Sequence, residues 1–345
     1  MMKRVSMDVP RSRNRRTALR VGVGLLLVVL FAHTALAATG EALAGRAAGS
    51  LIGHQVPAMR MTDIDGHAID LGQWLGHTPI YLKFWATWCG PCRAQMPHFE
   101  ATRRAAGGTM AVLAINLGID DTDAQIRAYR RELGLGMPIV RDDGRLAAAF
   151  DVRVTPQHVL IDRSGRIAYV GHELNAALAT ALEALMAGRS GPALDPPDPS
   201  PPMTPALPTA LQPLEGPPVS LSGGSAPNGT WLVFTSTWCE GYFAESRPAT
   251  AAGCRTLREA LPAIAARPGV RVVLVVSSLW TERVDVYAYR DQHAISVPIV
   301  FDEHGVIFHA FRVDQFAEVV TLDAAGRIER RFNTIDPDAI SQPSD

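Results

Sequence analysis

Trp88-Cys89-Gly90-Pro91-Cys92 places two thiols three positions apart. That spacing allows one thiol to attack a disulfide and the other to resolve the mixed disulfide that forms. It is also half of a zinc site, but zinc needs two further ligands at suitable spacing, and Cys239 and Cys254 lie far downstream with no CxxC of their own. The run 79–85 ahead of the motif has strand character, and 91–106 has helical spacing. Cys89 is therefore expected where a strand gives way to a helix, where free backbone N–H groups and the helix dipole favour a thiolate. Pro91 suits the start of that helix, since no donor is wasted there. Cys92, one turn in and more buried, is the expected resolving thiol.

The elements that must hold this pair follow from the pattern around it. Apolar runs at 110–116 and 138–140 read as strands and 122–134 as a helix, an alternation that calls for βαβ units and a parallel component to the sheet. Runs 157–161 and 166–170 flank the turn Asp162-Arg163-Ser164-Gly165 and read as an antiparallel hairpin. A helix over about 173–187 closes a β-α-β-α-β-β-α unit with a mixed α/β sheet.

The unit occurs twice. Tyr81-Leu82-Lys83-Phe84-Trp85-Ala86-Thr87-Trp88-Cys89 matches Trp231-Leu232-Val233-Phe234-Thr235-Ser236-Thr237-Trp238-Cys239 at an offset of 150. Tyr129-Arg130 and Met137-Pro138-Ile139-Val140 recur as Tyr289-Arg290 and Val297-Pro298-Ile299-Val300 at an offset of 160. Gly165-Arg166-Ile167 recurs as Gly326-Arg327-Ile328 at 161. Between the copies, prolines at 192, 196, 197, 199, 201, 202, 205 and 208 exclude helix interior and sheet, and read as a linker. The expected organisation is a redox-active domain over 38–189, a Pro-rich linker over 190–208 and a degenerate second domain over 209–345.

The run from Phe84 to Pro97, with Trp88-Cys89-Gly90-Pro91-Cys92 at its centre, resembles the active site of the TlpA/ResA-like branch of the thioredoxin superfamily. The likeness covers roughly residues 50–188, including an opening hairpin around Pro57, Asp65, Gly66 and Leu71. It implies two thioredoxin-like domains, the second degenerate, and it assigns Thr155-Pro156 as a cis-proline loop beside the cysteines. A cis X-Pro bond leaves neighbouring backbone groups free to pair with an extended substrate. Two positions depart from the family. Gln95 stands where a glutamate is usual, and Lys83 stands where thioredoxins bury an aspartate. Lys83 either points at the site and stabilises a thiolate by about one to three pK units, or snorkels to solvent. His158 reads as an ordinary strand residue rather than a copper ligand. No metal and no cofactor are expected.

Residues 1–37 hold seven Lys/Arg against the single Asp8, followed by the apolar run Val21 to Ala32 and by Ala35-Leu36-Ala37-Ala38. They read as an export signal cleaved near Ala38, or as an N-terminal membrane anchor if retained, and place the protein in the periplasm. Without this segment 26 basic and 33 acidic residues remain of the chain's 33 and 34, so no basic footprint for nucleic acid is left.

In the second copy, Glu240-Gly241-Tyr242 replaces Gly90-Pro91-Cys92 and Phe316-Ala317 replaces Thr155-Pro156, so two-cysteine turnover is not expected there. One continuous helix would hold Cys239 and Cys254 about 22 Å apart, beyond the roughly 7 Å reach of a disulfide. The offset, however, grows from 150 to 160 across this region, and Ser246-Arg247-Pro248 can break a helix, so a structural bond between Cys239 and Cys254 is expected. The functional expectation is an exported dithiol oxidoreductase. Resemblance implies that it reduces disulfide-containing protein substrates, such as apocytochrome c or copper-site cysteines, and is recharged by a membrane thiol-reductant transporter. The alternatives are a Cu(I) metallochaperone using Cys89 and Cys92, or a binding adaptor that works through the second domain.

Overall fold

The computed structural model describes residues 39–189, 206–222 and 226–333. Residues 1–38, with the expected export signal or anchor, most of the proline-rich linker and residues 334–345 lie outside the described residues. Among the described residues no helix is long and apolar enough to cross a membrane.

Each copy builds one five-stranded mixed sheet. In the first, β3 (Ile80–Trp85) lies between β4 (Ala111–Asn116), which is parallel to it, and β6 (Gln157–Ile161), which is antiparallel. With β5 (Ile139–Arg141) and β7 (Ile167–Gly171) at the edges, the strand order is β5-β4-β3-β6-β7. Every residue of β3 is buried, as a central strand covered on both faces requires, and that is why it reads as a nearly unbroken apolar run. Helices α2 (Gly90–Ala106), α3 (Asp123–Leu133) and α5 (Ala176–Met186) flank the sheet, and a short α4 spans Arg145–Ala149. The second copy repeats the order with β12-β11-β10-β13-β14, where β10 is Thr230–Thr235, β11 Arg271–Ser277, β12 Ile299–Asp302, β13 Glu318–Leu322 and β14 Ile328–Phe332. It too pairs its first three strands in parallel and the last two antiparallel. The molecule is thus α/β, with two thioredoxin-like sheets of the same topology.

Element positions in the first copy agree with the sequence pattern to within about three residues. Two helices escape that pattern, the short α4 and α1 (Gly40–Leu51), an Ala/Gly-rich helix with too weak an apolar stripe to be read from sequence. Helix α1 starts on a Thr39 cap and buries Leu43, Ala44 and Ala47. A glycine is required at position 40 because any Cβ there would strike the His172 ring. Glu41 accepts hydrogen bonds from the backbone N–H groups of His172 and Glu173, each at 3.0 Å, and so ties α1 to the end of β7. Ahead of β3, strands β1 (Arg60–Thr62) and β2 (Ala68–Asp70) form the opening hairpin, turned at Gly66 with φ of +91°, a conformation open to glycine.

Helix α2 is anchored at its far end by Glu100. Its buried carboxylate accepts from Arg103 and Arg104, one turn on, and from the Gly136 N–H at 3.0 Å. The Arg103 hydrogen bond leads the effects that hold this carboxyl down at about 2, below its usual 4.5. A depressed carboxyl adds stability that is complete above its unfolded value and fades as pH falls toward the folded one. Glu100→Ala should therefore cost about 3 kcal/mol at neutral pH. Urea unfolding is expected to show that gap closing as the pH is lowered from about 4.5 toward 2.

Candidate active site

Cys89 is the N-cap of α2, and its sulfur accepts the backbone N–H of Cys92 at 3.1 Å. Gly90 and Pro91 form the first helical positions. Cys89 and Cys92 are joined as a disulfide with Cα atoms 5.2 Å apart, Cys92 fully buried and Cys89 only 2% exposed. The strand places the motif and the loop holds it. Trp88 donates its indole N–H to the Ile119 carbonyl at 2.9 Å, and the Thr87 N–H donates to Asp121 at 2.7 Å. The Thr155-Pro156 peptide is cis, and both residues are fully buried or nearly so.

Beneath the cysteines runs a polar chain that the sequence reading did not assemble. Lys83 is fully buried, so it does not snorkel, and its ammonium donates to Gln95 Oε1 at 3.2 Å. That contact sets the Gln95 amide oxygen toward Lys83, while its nitrogen donates to the His172 carbonyl at 3.2 Å. The same oxygen lies 2.8 Å from His158 Nε2, which must carry the imidazole proton. Nδ1 then accepts from the Tyr81 hydroxyl at 2.8 Å. His172 Nδ1, in turn, lies 2.7 Å from the carbonyl of Pro156. A continuous path of hydrogen bonds thus joins Lys83 and Gln95, one turn past Cys92, to the cis-proline loop.

Burial sets the charge of this chain. Desolvation, assisted by the nearby lysine, holds the His158 imidazolium well below its usual range, leaving the ring neutral. It pulls Lys83 down from 10.5 to about 7. One signal for the network existed in the sequence and a second came with the fold. Tyr81 and Lys83 are two apart in one strand and share a face, and the antiparallel register sets Lys83 opposite His158. The register itself became visible only with the fold.

In the second copy, helix α6 (Cys239–Ser246) starts at Cys239 and breaks at Arg247 before α7 (Pro248–Ala265). The break turns α7 back and sets Cys254 against Cys239, bonded, with Cα atoms 6.3 Å apart. Here no side chain caps the helix, and Trp238 at the N-cap is already helical in conformation. Metal-ligating groups cluster elsewhere: Asp63, Asp65 and His67 in the opening hairpin lie within 4.8 Å of one another. They are already engaged, Asp63 in closing the turn and Asp65 with Arg130.

Residues 52–170 match the AhpC/TSA family. The Bacillus subtilis thioredoxin-like protein YneN is 29% identical over 145 residues, 42% of this chain and 84% of that protein. The thiol-disulfide oxidoreductase ResA of the same organism is 27% identical over 160 residues, 46% of this chain and 86% of ResA. Bacillus anthracis ResA is 30% identical over 118 residues, 34% of this chain and 66% of that protein. A solved thioredoxin-family thiol:disulfide interchange protein from Chlorobium tepidum superposes with a TM-score of 0.36 at 20% identity, covering 39% of this chain and 97% of its own. The first domain is a thioredoxin-like domain of the AhpC/TSA type. The protein is a thiol–disulfide oxidoreductase that resembles ResA and YneN through that domain.

Two predictions follow from the buried groups. The folded state holds Lys83 near 7 while the unfolded chain leaves it near 10.5, so stability should rise with pH between those values. Lys83→Met should flatten that rise in urea unfolding followed across the window; an equal rise in the variant would exclude Lys83 as its source. Replacing both Cys239 and Cys254 by Ala should lower stability by about 3 kcal/mol. Peptide mapping of the wild-type protein, alkylated without prior reduction, should leave both cysteines unlabelled.

Proposed function

We propose that this is an exported thiol–disulfide oxidoreductase in which Cys89 and Cys92 are the redox pair. The domain over 38–189 carries the chemistry, and the domain over 209–345 does not turn over. The observation that carries the reading is the seat of Cys89: an N-cap sulfur that accepts a helix N-terminal N–H, where a thiolate is favoured over a thiol.

In the reduced enzyme, Cys89 thiolate attacks one sulfur of a substrate disulfide, forming a mixed disulfide and releasing the other sulfur as a thiolate. Cys92, once deprotonated, attacks the Cys89 sulfur. The second substrate thiolate leaves, and the Cys89–Cys92 disulfide forms. Two electrons have passed to the substrate, and a dithiol donor must return them by the same exchange in reverse. Trp88, Gly90 and Pro91 shape the attacking loop. Thr155 and Pro156 support the substrate chain, and Gln95 and Lys83 position the helix turn that bears Cys92. Resemblance to the TlpA/ResA group supports particular extracytoplasmic proteins as substrates, among them apocytochrome c and copper-site cysteines, with a membrane thiol transporter as donor and the periplasm as compartment.

The test uses the full-length chain. Cys89→Ser should reduce insulin no faster than dithiothreitol alone. Cys92→Ser should retain the first half-reaction and accumulate mixed disulfides, seen on non-reducing gels and identified by mass spectrometry. Normal turnover in the Cys89 variant would refute the assignment.

A further inference from the structure

The two domains meet through the same face of each. The Trp88 and Trp238 rings, equivalent positions, pack with centroids 5.7 Å apart. On one side the Asp120 N–H donates to the Asp314 carbonyl at 2.7 Å; on the other the Trp280 N–H donates to the Arg153 carbonyl at 2.8 Å. Residues 120 and 280 correspond in the repeat, as do 153 and 314, so the contact is pseudo-twofold, built like the isologous interface of a homodimer.

The symmetry fails where the second copy has lost the redox residues. Tyr242 stands at the position of Cys92, and its hydroxyl straddles Cys89, accepting from the Gly90 N–H at 3.2 Å and donating to the Trp88 carbonyl at 3.1 Å. Phe316 stands at the position of Thr155 and lies edge-on to Trp88 at 5.6 Å. Trp280 stands at the position of Asp120, within 3.4 Å of the Thr155 hydroxyl and 5.2 Å from the His172 ring. Trp280 holds φ at +54°, a conformation bulky residues rarely adopt and one that packing must enforce. Arg247 completes the contact, donating to Asp121 at 2.9 Å and to the Thr87 hydroxyl at 2.7 Å. Two positions that would serve chemistry in a working copy, those of Cys92 and Thr155, have become contacts on the working site of the other.

Those contacts cover what a protein disulfide would need. Cys89 is 2% exposed and Trp88 8%. The Arg153 carbonyl, in the segment leading to the cis-proline, is already paired with Trp280. Resting on the assignment of Cys89 and Cys92 as the redox pair, we propose that the second domain is an intramolecular cap. It occupies the redox face in place of substrate, so exchange with a protein disulfide requires the two domains to part. The occupant that displaces it is an extended protein segment bearing a disulfide, which competes for the Gly90 N–H and the backbone around Thr155. The observed rate then equals the rate of the open form multiplied by the fraction of molecules that are open.

The full-length reduced protein carries two readouts: iodoacetamide alkylation of Cys89, followed on its tryptic peptide, and the rate of insulin reduction. Tyr242→Phe removes only a hydroxyl from a side chain 45% exposed, and Arg247→Gln removes the clamp on Asp121. Each should raise both rates, by about three- to tenfold for the loss of one or two hydrogen bonds. Rates equal to wild type in both variants, or lower, would overturn the cap, the lower rates showing a second domain that completes the site. Faster alkylation in the variants with no insulin reduction by any of the proteins would uphold the cap and refute the redox assignment instead.

Discussion

One buried carboxylate, Asp121, holds together the parts that matter. Its two oxygens accept from the Thr87 N–H and hydroxyl, from the Asn116 amide at 2.7 Å and from Arg247. A charge this deep is tolerated because several donors surround it. Through those donors it fixes the loop that delivers Cys89 to its helix, pins that loop to the end of β4, and receives the Arg247 guanidinium from the second domain. In the second copy the equivalent contact is Thr237 to Thr281, two hydroxyls at 3.1 Å with no charge to compensate. The two faces are therefore not interchangeable: at this pair of equivalent positions the first carries a carboxylate and the second a hydroxyl.

Below the cysteines the site is built on a buried lysine. A lysine near 7 and a neutral histidine share one glutamine oxygen, which requires no fixed charge inside the sheet. Such a network is costly if one member is lost and coherent when all are paired. It also links the turn bearing Cys92 to the cis-proline loop through His172, so the two halves of a substrate-binding edge share a rigid floor. Helix α1 lies against that floor from behind, with Gly40 leaving room for the His172 ring.

The second domain kept the sheet and changed the face. Its apolar core runs into that of the first domain through Trp88, Phe243 and Phe316. A disulfide between Cys239 and Cys254 staples the helix pair that carries Tyr242 and Arg247. Two faces of like shape associate about a pseudo-twofold axis. In the second copy the large aromatic side chains Tyr242 and Phe316 stand at the positions of Cys92 and Thr155.

The amino-acid sequence alone determined the order of the elements, the repeat and the spacing of the paired thiols. All three are local or periodic: Cys89 and Cys92 are one helical turn apart, strands show as apolar runs, and a tandem copy shows as a constant offset. It also marked the break at Arg247-Pro248 that brings Cys254 back to Cys239. Tertiary structure decided the rest, because the partners are separated by tens to hundreds of residues and no periodicity relates them. Lys83 could face the site or the solvent until the register of β3 against β6 set it opposite His158. Tyr242 read as a plain consequence of lost catalysis, and Trp280 carried no signal, until the pseudo-twofold packing of the two domains laid them over Gly90 and Thr155. A sequence records which side chains are available, whereas the desolvation that neutralises His158 exists only once the first sheet is packed, and the cover over Cys89 only once the two faces meet.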